Sequence, residues 1–110
     1  MDLPGMLWEI LVPATVDGKP IPVDYHQQWD EVVRKISGVL TIMSPAKGQW
    51  VCGHKVIKEP MIPCRILAGL DEMNQIIEFT LDHYHQEAVL AYVISSKVVM
   101  KYRRGAGSNA

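Results

Sequence analysis

Several things that would narrow the function of this chain are missing or scarce. No uninterrupted apolar run approaches the roughly 18 residues that a membrane-spanning helix needs, and Met1-Asp2-Leu3-Pro4-Gly5 lacks the basic start and apolar stretch of a secretory leader. A soluble cytoplasmic protein with no membrane partner is the expectation. Charge excess is absent too: 11 Lys and Arg stand against 12 Asp and Glu, so no field exists to hold a polyanion by counterion release. Nucleic acid is not an expected partner.

Cysteine is scarce, with two in 110 residues. If Gly53-His54 turns a hairpin, Cys52 faces Lys55 and Cys64 lies well down the returning strand, opposite the region of Met43. Several residues of offset at roughly 3.3 Å each exceed the Cα separation a disulfide tolerates. Two reduced, partly buried thiols follow. What is plentiful is apolar surface, 48% of residues against 21% charged, which is the balance of a chain that folds. The length suits one domain, taken as residues 1–104, with the Gly-, Ser- and Ala-rich residues 105–110 as a tail.

The apolar periodicity changes along the chain in an informative order. Met6 to Val12 alternates with period two, placing Met6, Trp8, Ile10 and Val12 on one face and Leu7, Glu9 and Leu11 on the other. Pro13 ends that run, and Asp17-Gly18-Lys19-Pro20 supplies turn chemistry. Ile21, Tyr25, Trp29, Val32, Val33 and Ile36 then recur at helical spacing, with Asp24 and Gln27 as a capping box and Gly38 as the stop. Val39–Met43 is extended, Ser44–Gly48 interrupts it, and Gln49–Cys52 resumes before a turn at Gly53-His54. The chain returns through Val56–Glu59 and Met61–Leu67. A second helix, capped by Asp71, carries Met73, Ile76, Ile77, Thr80, Leu81, Tyr84 and Ala88 on its apolar stripe. Ala88–Ile94 is extended, and Lys97–Arg103 is expected to add a final strand. This order is β-α-β-β-α-β, a ferredoxin-like α+β fold with an antiparallel sheet and two helices on one face.

Three constellations carry chemistry. Asp82-His83-Tyr84-His85-Gln86-Glu87 is rich in metal-ligating types, but residues two apart on a helix point roughly 200° from one another, so His83 and His85 cannot chelate one ion together. His83 with Glu87, or Asp82 with His85, would still need a third ligand such as His54 or His26. A solvated helix face is the preferred reading, and no metal is expected. Cys52-Gly53-His54 resembles half a zinc knuckle, yet Cys64 has no neighbouring Cys or His to complete it. The third constellation is Glu9 with Arg65. The first and third strands of such a sheet are adjacent and antiparallel, so these charges meet on the face that the helices leave open. They are either an ion pair in an interface, the preferred reading, or a ligand site with Glu9 as a base.

Gly38-Val39-Leu40-Thr41-Ile42, Pro45-Ala46-Lys47-Gly48-Gln49-Trp50, Lys58-Glu59 and Tyr84-His85-Gln86-Glu87-Ala88-Val89 resemble the motifs of small uncharacterised bacterial α+β proteins on a ferredoxin-like plan. The size and tail are also similar to mobile gene-cassette products. The resemblance covers the middle and later half of the chain and brings no established activity. It implies Lys47, Trp50, Glu59, Gln86 and Glu87 as site residues.

Leu7, Leu11, Met61, Leu67 and one side of Val89–Ile94 are too apolar to stay wet on an open sheet face. A two-fold homodimer through that face is therefore expected. The leading functional expectation is a small-ligand-binding or interaction module without a cofactor, its site built from Glu9, Arg65 and the five resemblance residues. The alternatives are a small cofactor-free isomerase or oxygenase of the dimeric α+β barrel type, and a structural assembly module with a flush, dry interface.

Overall fold

The computed structural model describes residues 5–105. A single sheet carries β1 (Met6–Pro13), β4 (Leu40–Ile42), β5 (Ala46–Cys52), β6 (Lys55–Ala68) and β7 (Ala91–Ser95), joined in the order β4-β6-β1-β7 with β5 also on β6. All pairings are antiparallel. Helices α1 (Val23–Ser37) and α2 (Leu70–Tyr84) pack on one face. The ferredoxin-like α+β arrangement expected from the periodicities is the one observed.

The core forms where period-two and helical stripes meet. Ile10 and Val12 of β1 and Cys64, Ile66 and Ala68 of β6 point at Trp29 and Val33 of α1 and at Met73, Ile76 and Tyr84 of α2. Each large apolar side chain among them contributes roughly 1.5–3 kcal/mol by leaving water. One polar link crosses this apolar layer. The Trp29 indole Nε1 donates to Thr80 Oγ1 at 2.9 Å, and that hydroxyl donates to the Ile76 carbonyl at 2.6 Å.

Helix boundaries differ from those read in the sequence. Pro22, not Asp24, is the N-cap of α1, and Asp24 instead accepts from the Tyr25 amide next door. Proline fits there because its fixed φ suits a helix start and no N–H is left without a partner. Gly69 rather than Asp71 caps α2, and the Glu72 carboxylate reaches back to the Gly69 N–H at 2.9 Å. That is half of a capping box, since glycine has no side chain to complete it. Gly38 ends α1 as expected, at φ 78°, which glycine adopts without strain.

The turn at Asp17-Gly18 is tighter than a loop. Both residues have positive φ, 51° and 75°, as a type I′ turn requires, and they join β2 (Thr15–Val16) to β3 (Lys19–Pro20). The expected strand over Lys97–Arg103 does not form: among the described residues, β7 is the last strand. Ser95 Oγ donates to the Lys97 carbonyl and accepts from the Lys97 amide, which occupies the Lys97 backbone groups locally at the end of β7. The expected tail lies, apart from Gly105, outside the described residues. No helix among the described residues is long and apolar enough to cross a membrane.

Beyond Pro60, β6 leaves the body of the sheet with β5 as its partner, and the two run outward as a hairpin. The molecule is accordingly elongated, 54 × 29 × 23 Å.

Candidate functional site

The open sheet face has a polar row through its middle. Tyr92 of β7 stands opposite Glu9 of β1, Glu9 opposite Arg65 of β6, and Arg65 opposite Thr41 of β4. Residues opposite one another in antiparallel strands share a face, so these four side chains form one line across four strands. The next rows are apolar, with Leu11 and Pro63 on one side and Leu7 and Leu67 on the other.

Within the row the charges are organised. Arg65 Nε donates to Glu9 Oε1 at 3.3 Å, and the Tyr92 hydroxyl donates to Glu9 Oε2. Both carboxylate oxygens of Glu9 are thus engaged, and its side chain is only 12% exposed. The hydrogen bond to Glu9 is the main reason the Tyr92 phenol is held above its ordinary range, which keeps it a protonated donor. Arg65 is different. Its side chain is 42% exposed, and its terminal N–H groups meet no other protein acceptor among the described residues. A guanidinium has five N–H donors, so Arg65 presents a half-exposed fork within the row, with Thr41 as its cross-strand neighbour.

The residues expected at a site fall into three places. Glu9 and Arg65 meet, as strand adjacency required. Trp50 and Glu59 stand on the outward hairpin, opposite Ile57 and Gly48 respectively, and alternation along β6 puts them on the same face as Arg65. Glu59 is six residues along the strand from Arg65, roughly 20 Å. Lys47, paired with Pro60, faces the other way. Gln86 and Glu87 follow α2 in the connection to β7, and the Gln86 side-chain oxygen is buried with no donor among the described residues. Within one protomer these seven residues do not converge. Tyr92 and Thr41 went unrecognised in the sequence, where only the bare alternation of strands would have brought them to Glu9 and Arg65.

The thiols are both free. Cys64 is buried, and burial pushes its thiol up to about 12. Cys52 is exposed at the hairpin tip, which corrects the expectation that both would be partly buried. On this arm β6 pairs with β5 alone among the described residues, which leaves the tip exposed.

The His-rich end of α2 is not a solvated face throughout. His83 stacks on Tyr25 of α1, ring centroids 4.0 Å apart and 20° from parallel, and also on Phe79. His83 Nε2 lies 2.8 Å from the Tyr25 carbonyl, which can only accept, so Nε2 carries the proton. The Tyr25 hydroxyl donates in return to the His83 carbonyl. Beside this, His26 Nδ1 is 2.6 Å from the Tyr84 hydroxyl. Burial, chiefly, raises the Tyr84 phenol and lowers the His26 imidazole. The protonated Tyr84 hydroxyl and the His26 imidazole therefore share one hydrogen bond. Among the described residues, no three His, Cys, Asp or Glu side chains form a group able to hold a metal ion.

Fold and open face together define a ferredoxin-like α+β protein whose sheet offers one uncovered surface. No family model matches the chain, and no curated protein matches it in sequence. Solved structures do match in shape. The periplasmic divalent cation tolerance protein CutA from Archaeoglobus fulgidus superposes with a TM-score of 0.65 at 9% identity, over 87% of each chain. CutA1 from Oryza sativa gives 0.66 at 9% identity, over 86% of this chain and 82% of its own. A phage SAM lyase in complex with S-methyl-5'-thioadenosine gives 0.59 at 17% identity, over 86% and 85%. At these identities the likeness is one of fold.

Proposed function

We propose that this protein is a small-ligand-binding module that works as a homo-oligomer, a two-fold dimer in the simplest case. The open sheet face packs against a second copy, and the Tyr92–Glu9–Arg65–Thr41 row forms the polar floor of the site between them. The observation that carries this is the position of the row. The apolar rows are poorly placed for water, and the charged pair fixed at their centre gives an enclosed face a polar floor. Glu9, held by two donors, fixes the guanidinium in orientation. Arg65 then presents its remaining N–H fork to a ligand carboxylate, the planar partner that a guanidinium binds best. Trp50 and Glu59 lie on the same face along the hairpin, so a second copy lying along that face would bring them towards the row.

Arg65→Met tests this directly. Thermal-shift screening against small mono- and dicarboxylates should find stabilising ligands for the parent and none for Arg65→Met, while light scattering shows the variant still oligomeric. A variant that keeps both the ligands and the assembly would defeat the site assignment. A parent that is monomeric at micromolar concentration would defeat the enclosed face.

The phage lyase supports a second reading, in which the same face carries out cofactor-free chemistry on a sulfonium nucleoside with Glu9 as base. Incubation with S-adenosylmethionine and chromatography for S-methyl-5'-thioadenosine separates the two. Release of that product that depends on Glu9 would establish catalysis, and unchanged substrate would leave the binding reading.

A further inference from the structure

A groove of about 370 Å³ lies on the helix side of the molecule, away from the open sheet face, between the β2–β3 hairpin, the start of α1 and the end of α2. We propose that it binds a small planar aromatic acid. The volume falls within the range of small-ligand pockets. Its walls are flat: the Tyr25, His83 and Tyr84 rings on the helices, and the Pro20 and Pro22 rings from the hairpin and the α1 cap. Aromatic and prolyl faces are the surfaces against which a planar ring packs with most contact.

The wall is built before any ligand arrives. Tyr25 and His83 are stacked, and each donates a hydrogen bond to the other's backbone carbonyl, so the two helices are tied together at the groove. A fixed wall spares a ligand the entropy of ordering it.

Charge selects the acid. Lys19 lines the groove from the hairpin, His83 lines it from α2 and His85 from just past the helix end, and no lining side chain among the described residues is acidic. The nearby helix ends act in opposite senses, since α1 presents its N-terminus and α2 its C-terminus. The α2 carbonyls are largely taken: Leu81 accepts from the Gln86 amide, Asp82 from the His85 amide and His83 from the Tyr25 hydroxyl. What remains favours an anion near Lys19.

The test is an amide-resolved NMR titration of the full chain near neutral pH with three probes sharing one ring system: indole-3-acetate, indole and tryptamine. Indole-3-acetate should shift the amides of Lys19, Ile21, Tyr25 and His83, and bind roughly tenfold tighter than tryptamine. Lys19 is exposed, so Lys19→Glu should keep the fold, with distant amides unmoved, and should abolish or reverse that preference. Equal binding of acid and amine would overturn the proposal. So would shifts confined to the sheet strands, a preference that survives Lys19→Glu, or no shift at several millimolar probe.

Discussion

Thr80→Val exchanges a hydroxyl for a methyl at constant shape, at a position with no solvent access (0% exposed). The hydroxyl is the acceptor for the Trp29 indole N–H, itself on a side chain only 1% exposed, at 2.9 Å. Valine fills the same space, so no cavity opens, and its helix propensity is close to that of threonine. The cost is the orphaned indole donor, about 1–3 kcal/mol. Urea unfolding should show a lower midpoint with an unchanged slope. The decisive comparison is a double-mutant cycle with Trp29→Phe. Once the indole N–H is gone, Thr80→Val has nothing to orphan and should cost under about 0.5 kcal/mol, a coupling of roughly 1–2 kcal/mol. Equal costs in both backgrounds would show that the Trp29–Thr80 bond does not stabilise the fold.

Three further outcomes are expected. Leu11→Asp puts a charge into the apolar row beside Glu9 and Arg65 and should yield monomer or insoluble protein; a dimer as stable as the parent, by light scattering and thermal melting, would refute the buried-face assignment. His26 has its pKa lowered, first by burial, then opposed by Asp30 and reinforced by His83. The unfolded chain therefore binds more protons than the folded one just below the ordinary imidazole value of about 6.5, and stability should fall as pH drops through that value. Asp30, raised mainly by burial, acts with the opposite sign at lower pH, so His26→Gln, which keeps an acceptor for Tyr84, should flatten the slope only in the upper window. A thiol reagent on the native protein should label Cys52 fast and Cys64 slowly, with both reacting after denaturation; two fast thiols in the native state would contradict the buried placement of Cys64.

The parts of this fold that were legible in the sequence are those set by spacing alone. Met73, Ile76, Thr80 and Tyr84 recur at three- and four-residue intervals and all became buried. Glu9 met Arg65 because the first and third strands of this arrangement are the central, antiparallel pair of the sheet, and alternation then fixes the face. Ala88, placed on the same helical stripe, lies beyond the end of α2 and is exposed, since periodicity does not report where a helix stops. Tyr92 was illegible for a different reason. Its seat opposite Glu9 depends on the length of the α2–β7 connection, which leaves no pattern. His83 looked like a metal-ligand candidate or a wet residue because it sits one position off the apolar stripe. Its half-buried stack on Tyr25 is set by how α1 and α2 rotate against one another. The resemblance residues Lys47, Trp50 and Glu59 are near one another in the chain, yet the outward course of the hairpin carries them off the body of the sheet.

That hairpin obeys a parity rule. From Lys55 to Glu59, β6 has β5 as its one strand partner among the described residues, so neither helix dictates how far the arm extends. Two residues added to each strand, or removed from each, would lengthen or shorten its reach by roughly 7 Å and leave Trp50 and Ile57 on the face they now share with Arg65. One residue from each strand would turn that pair to the opposite side. Length in this arm is therefore free to vary only in steps of two, and any relative that keeps an aromatic facing the same way should differ from this chain by an even count on each side of Gly53.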